Sequence, residues 1–100
     1  MSKHLPPMHP GEILREEFLR PLDMSAGRLA KALGVPRTRI ERLANEEVEL
    51  SADTALRLAR YFGTTAEFWM ALKGRYEREH AEDILGDALS RIKPRKAEAA

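Results

Sequence analysis

The sequence predicts an all-α fold, and three observations carry that expectation. Apolar residues recur at spacings of three and four along most of the 100 residues, no stretch alternates as a strand does, and hydroxyls, prolines and glycines stand where helices start and stop. A chain of this length holds one small domain. It has no cysteine, which removes disulfides and thiolate zinc sites. The longest apolar run, Phe68 to Leu72, is far below the roughly 18 residues of a membrane span. One lysine near the N-terminus with no apolar stretch behind it is not a secretion signal, so a soluble, cytoplasmic chain with no membrane partner is expected.

Residues 1–8, with Pro6 and Pro7, are expected to be extended and mobile. Pro10 suits a first helical position, Glu12, Glu16 and Glu17 lie toward the positive end of the dipole, and Ile13, Leu14, Phe18 and Leu22 follow at helical spacing until Pro21 ends or kinks the helix. Ser25 caps a second helix with Leu29, Ala30 and Leu33 on one face, and Gly34 stops it. Pro36 opens a third, whose apolar stripe is Ile40, Leu43 and Ala44 and whose opposite side is Arg37, Thr38, Glu41 and Arg42. Asn45 to Leu50 is an acidic loop, and Ser51 caps a fourth helix that buries Ala55, Leu58, Ala59 and Phe62 and ends at Gly63.

Thr64 and Glu67 form a capping box for a fifth helix presenting Phe68, Trp69, Leu72 and Tyr76 to the core. Ala81, Ile84, Leu85, Ala88, Leu89 and Ile92 then repeat as one apolar face, predicting an amphipathic helix over 77–93 that continues the fifth or follows a break near Gly74. Pro94 begins a charged tail, 94–100. The domain expected over 9–76 is therefore compact and five-helical, with a C-terminal helical extension.

The 17 basic and 16 acidic residues are not evenly mixed. Arg28, Lys31, Arg37, Arg39 and Arg42 fall within fifteen positions beside the single Glu41, which concentrates positive charge on one small face. The same stretch has helix-turn-helix spacing. With Ala26 as the first of twenty positions, the small residue where the helices cross is Ala30 at the fifth, the turn glycine is Gly34 at the ninth, and Leu29, Leu33, Val35, Ile40 and Leu43 occupy the apolar positions. In that geometry the third helix enters the major groove, so Pro36, Arg37, Thr38 and Arg42 are candidates for base contact and Arg28, Lys31 and Arg39 for phosphate. A surface ion pair accounts for Arg39 equally well.

With these residues placed, the chain resembles the HigA/VapI-type antitoxins within the Xre/Cro-CI helix-turn-helix repressors. The likeness lies in His9 to Leu14, Leu29 to Pro36, Ala52 to Gly63 and Glu67 to Trp69. It implies a Cro/CI-type domain acting as a homodimer on a palindromic double-stranded DNA operator, repressing its own operon and neutralising a HigB-type mRNA-cleaving toxin. Two stretches depart from the family. Asn45-Glu46-Glu47-Val48-Glu49 stands where glycine and basic residues usually meet the DNA backbone, and carboxylates there repel phosphate. Gly27 replaces a polar residue and weakens its helix by about 0.5–1 kcal/mol relative to alanine.

A second class of function, a protein-interaction antitoxin with little DNA binding, draws on the acidic loop and on Ile84, Leu85, Ala88 and Leu89, an apolar face expected to pair with a second copy or a toxin. A stand-alone repressor without a toxin is the third. An enzyme is not expected, because no nucleophile, phosphate loop or carboxylate pair accompanies the three histidines. Glu79, His80 and Asp83 share a helical turn, but one imidazole with flanking acids is a solvated face rather than a closed metal site. No cofactor or metal is expected.

Overall fold

The computed structural model describes residues 6–96, and all the regular structure among them is helical. The order is α1 (Pro10–Ile13), a π-helix (Leu14–Leu19), α2 (Ala26–Leu33), α3 (Arg37–Ala44), α4 (Ala52–Phe62), α5 (Ala66–Leu85) and α6 (Asp87–Ser90). Most of the mobile segment expected over 1–8, and the end of the 94–100 tail, lie outside the described residues.

Pro10 is the first helical residue, and His9 caps α1 by accepting the Gly11 N–H at Nδ1, 2.9 Å away. The helix then widens. Arg20 N–H donates to the Arg15 carbonyl at 3.0 Å and Met24 N–H to that of Leu19 at 2.9 Å, each spanning five residues. Pro21 has no N–H and its ring crowds the carbonyl of Glu17 four residues earlier, a conflict that a wider turn relieves. This corrects the core expected from α-helical spacing. A five-residue turn places Leu19 rather than Leu22 in line with Leu14, so Leu14 and Leu19 are buried while Leu22 is 57% exposed.

The helix-turn-helix forms as expected. The Ser25 hydroxyl accepts the Arg28 N–H at 3.1 Å, Gly34 ends α2 at φ 74°, and Val35 N–H returns to the Ala30 carbonyl at 3.0 Å. Leu29, Ala30 and Leu33 meet Ile40, Leu43 and Ala44 in a continuous core with Leu50, Ala55, Leu58 and Ala59 of the following segment. Behind α3, α1 makes a contact that no side chain permits: a Cβ on Gly11 falls 1.8 Å from the Leu43 carbonyl oxygen.

Trp69 is the largest fully buried side chain and closes the core from α5. Its indole explains a shifted cap. Thr65, not Thr64, caps α5 by accepting the Phe68 N–H at 3.0 Å, because the Thr64 hydroxyl accepts from Trp69 Nε1 at 2.8 Å. Phe18 bridges the Phe62 and Trp69 rings at centroid distances of 4.7 and 5.1 Å. Phe68, expected in the core, is exposed, and Leu72 and Tyr76 are half-buried.

Of the two alternatives for the helix expected over 77–93, continuation of the fifth holds as far as Leu85, and the rest of the span is not part of it. α5 runs through Gly74 without interruption to Leu85, and the break comes at Gly86, whose φ of 47° and ψ of −121° leave helical space. α6 is a single turn beyond it. The far half of α5 and α6 project from the core, which gives extents of 54 × 32 × 21 Å and a radius of gyration of 17.3 Å, against about 13 Å for a compact chain of this length. Among the described residues, no helix is long and apolar enough to cross a membrane.

Candidate nucleic-acid interface

The exposed side of α3 is built by what its other side buries. Because Ile40, Leu43 and Ala44 are locked against α2, the side chains of Pro36, Arg37, Thr38 and Arg42 are all exposed at the start and next turn of the helix. Pro36 occupies the N-cap without a capping side chain, so the first N–H groups of α3 face outward with the positive end of its dipole. Arg28 and Lys31 are exposed on α2, and neither they nor Arg42 have an acidic partner among the described residues. Gly27 has a local reason to lack a side chain: a Cβ there falls 2.8 Å from Arg37 Cδ, so the glycine makes room for the arginine stem to cross α2.

Two of the candidate arginines are paired within the chain. Arg37 Nε lies 3.1 Å from Glu41 Oε2, one turn along α3, with both side chains largely solvated. Such a pair contributes little and yields readily to a stronger acceptor. Arg39 Nη1 donates to Asp53 Oδ1 at 2.7 Å, and Arg57 Nε donates to the same oxygen at 2.8 Å. The Arg57 guanidinium, then that of Arg39, holds the Asp53 carboxyl below the usual carboxylate range. Arg57 also donates from Nη1 to the Leu33 carbonyl at 2.8 Å, which ties α4 to the end of α2.

The acidic loop is engaged in the same way. Arg15, on the π-helix, donates to the Ala44 carbonyl and, from Nη2, to Glu46 Oε2 at 3.1 Å, closing the C-terminal end of α3. Glu16 first, and then Glu46, raise the Arg15 pKa above its ordinary value. Lys73 of α5 reaches Glu49 Oε1 at 3.3 Å and Glu77 Oε2 at 2.8 Å. Two of the loop's three carboxylates are thus matched by the protein's own cations, which reduces the repulsion expected from the loop. Arg15 and Arg57 were not among the residues singled out from sequence. Arg57 could have been found, since it stands one helical turn from Asp53, whereas Arg15 meets Glu46 across 31 residues, where helical periodicity carries no signal.

The apolar candidates are divided by Gly86. Ile84 and Leu85 end α5 while Ala88 and Leu89 belong to α6, and all four are exposed.

Residues 14–69 match the helix-turn-helix family HTH_3. Virulence-associated protein I of Dichelobacter nodosus is 50% identical over 81 residues, which cover 81% of this chain and 75% of that protein. Antitoxin HigA-1 of Vibrio cholerae is 38% identical over 78 residues, covering 78% of this chain and 68% of its own. The structure of Pseudomonas aeruginosa antitoxin HigA with the higBA promoter superposes with a TM-score of 0.84 at 44% identity, covering 88% of this chain and 97% of that one. Fold and exposed basic helix together define a helix-turn-helix protein. The chain belongs to that family, in its group of HigA- and VapI-type antitoxins.

Proposed function

We propose that this chain is a cytoplasmic, non-enzymatic DNA-binding antitoxin that represses its own operon as a homodimer on a palindromic operator and neutralises a HigB-type mRNA-cleaving toxin. The observation that carries the DNA contact is the outward side of α3, where Pro36, Arg37, Thr38 and Arg42 stand exposed on a helix held rigidly from behind. The Pseudomonas aeruginosa relative, solved with promoter DNA, supports the same use of the fold. In the major groove an arginine donates two N–H groups to O6 and N7 of guanine, and threonine offers a hydroxyl to a base edge or its methyl to thymine. Arg28 and Lys31 on the adjoining α2 set the register on phosphate.

The test is fluorescence anisotropy on the duplex upstream of the operon and on a scrambled duplex, across a salt titration. Arg37→Ala costs about 1–3 kcal/mol on the operator and relaxes preference at one base pair. Arg28→Ala weakens both duplexes alike and lowers the salt slope by roughly one. Equal losses for Arg37→Ala on both duplexes would remove it from the base-reading set, and no binding by the parent protein to either at low salt would remove DNA from its function.

Ile84, Leu85, Ala88 and Leu89 are proposed as the surface for the second copy or the toxin. The core leaves them uncovered on a projecting segment, and Ile84 is 70% exposed. A dimer spaces its α3 helices about 34–36 Å apart and protects two inverted half-sites. Leu85→Glu is expected to give the monomer mass by light scattering with an unchanged helical spectrum; a dimer mass moves the interface elsewhere.

A further inference from the structure

Arg39 stands in the first turn of α3, beside Thr38, where a side chain at the flank of the groove reaches phosphate. It is not idle in the free chain. Its Nη1 is 2.7 Å from Asp53 Oδ1, at an exposed position in the first turn of α4. The pair is asymmetric in what holds each side. Asp53 has a second cation, Arg57 at 2.8 Å, and Arg57 is itself anchored 2.8 Å from the Leu33 carbonyl, so the carboxylate stays satisfied when Arg39 leaves. Arg39 has Asp53 as its single acidic partner among the described residues, and its side chain is 41% exposed, so it is free to change partners.

Resting on the assignment of α3 to the DNA surface, we propose that Asp53 is an internal competitor for the phosphate backbone, holding Arg39 in an ion pair that DNA must displace and thereby setting the overall strength of binding without touching base preference. Pairing Arg39 with a phosphate releases the cation condensed there whether or not Asp53 held the guanidinium before, and Asp53, still paired with Arg57, takes up none in return. The competition therefore lowers affinity at every salt concentration and leaves the slope to the phosphate contact itself. Removing the carboxylate's charge frees Arg39 for phosphate without that cost. The Asn amide retains an oxygen for Arg57, which keeps the α4 tie to α2 in place.

The experiment measures binding of the full chain to operator and scrambled duplex over a salt titration, with circular dichroism to establish the native fold of each variant. Asp53→Asn is expected to bind both duplexes roughly twofold to fivefold more tightly at low salt, the factor by which an exposed ion pair restrains its members. The slope of log affinity against log salt stays as in the parent protein. Arg39→Ala in the Asp53→Asn background abolishes the gain. Arg39→Ala in the parent protein, which does not depend on the folding of Asp53→Asn, weakens both duplexes alike and lowers the slope by about 0.9. The proposal is overturned by an Asp53→Asn variant of parental affinity, by a gain that survives Arg39→Ala, or by an unchanged slope on Arg39→Ala alone. Failure of the DNA assignment looks different: the parent protein binds neither duplex and Arg42→Ala changes nothing, which overturns both.

Discussion

Trp69→Ala is expected to lower the stability of this protein by about 3–5 kcal/mol, the range for removing a fully buried tryptophan. Trp69 has no exposed surface, its ring lies 5.1 Å from those of both Phe18 and Phe68, and its indole N–H donates to Thr64 at 2.8 Å. Truncation opens a cavity between the π-helix and α5 and leaves the Thr64 hydroxyl without its donor. In a domain of about 100 residues each kcal/mol moves the melting temperature by about 4–8 °C, so a fall of at least roughly 12 °C is expected by circular dichroism. Total stabilities are typically about 5–15 kcal/mol, and the variant therefore sits near the edge of folding. Trp69→Phe separates the two contributions, because it retains most of the ring packing and loses the hydrogen bond at a cost of about 1 kcal/mol. A melting temperature for Trp69→Ala within a few degrees of the parent would mean that α5 does not close the core.

Gly11→Ala is expected to destabilise by upwards of about 2 kcal/mol, and its sign distinguishes tertiary contact from local preference. In an isolated helix the same change stabilises by about 0.5–1 kcal/mol, since alanine has less backbone freedom to lose. Here the added methyl falls 1.8 Å from the Leu43 carbonyl oxygen and 3.1 Å from His9 Nδ1. The first of these is backbone on α3 and cannot turn aside, so α1 must lift. Lifting it strains the His9 cap, and an N-cap is worth about 1 kcal/mol. Because α1 braces α3 from behind, operator affinity is expected to fall as well at temperatures where the variant remains folded. Urea denaturation gives the first quantity and anisotropy the second. A gain in stability would show that α1 slides along α3 without loss.

Much of the architecture is legible in local patterns. The caps at Ser25 and Ser51, the stops at Gly34 and Gly63, and the apolar faces of α2, α3 and α4 depend on interactions within a turn or two of helix, and each forms where its residues predict. The exposed positions of Arg37, Thr38 and Arg42 follow from the same periodicity, since the side of α3 that does not carry Ile40 and Leu43 must face out. The errors fall where a side-chain contact or an irregular turn overrode the regular pattern. By sequence Thr64, with Glu67 three residues on, is the expected cap, but the indole of Trp69 claims its hydroxyl and Thr65 caps instead. Leu22 fits the α-helical stripe and lies outside only because the turn before Pro21 widens. Gly74 and Gly86 are alike as helix breakers, and α5 passes through one and ends at the other.

By itself, then, the sequence determined an all-helical chain, the boundaries of its helix-turn-helix, and the concentration of arginines on the outward face of one helix. These are consequences of short-range hydrogen bonding and of a 3.6-residue period, and both are written into neighbouring residues. Only the tertiary structure decided how those arginines are held. Arg39 is drawn to Asp53 across 14 residues of chain, and Arg15 closes α3 from 31 residues before Glu46. Coulomb attraction acts through space, so which charges meet depends on how the helices are stacked and not on the order in which they are strung.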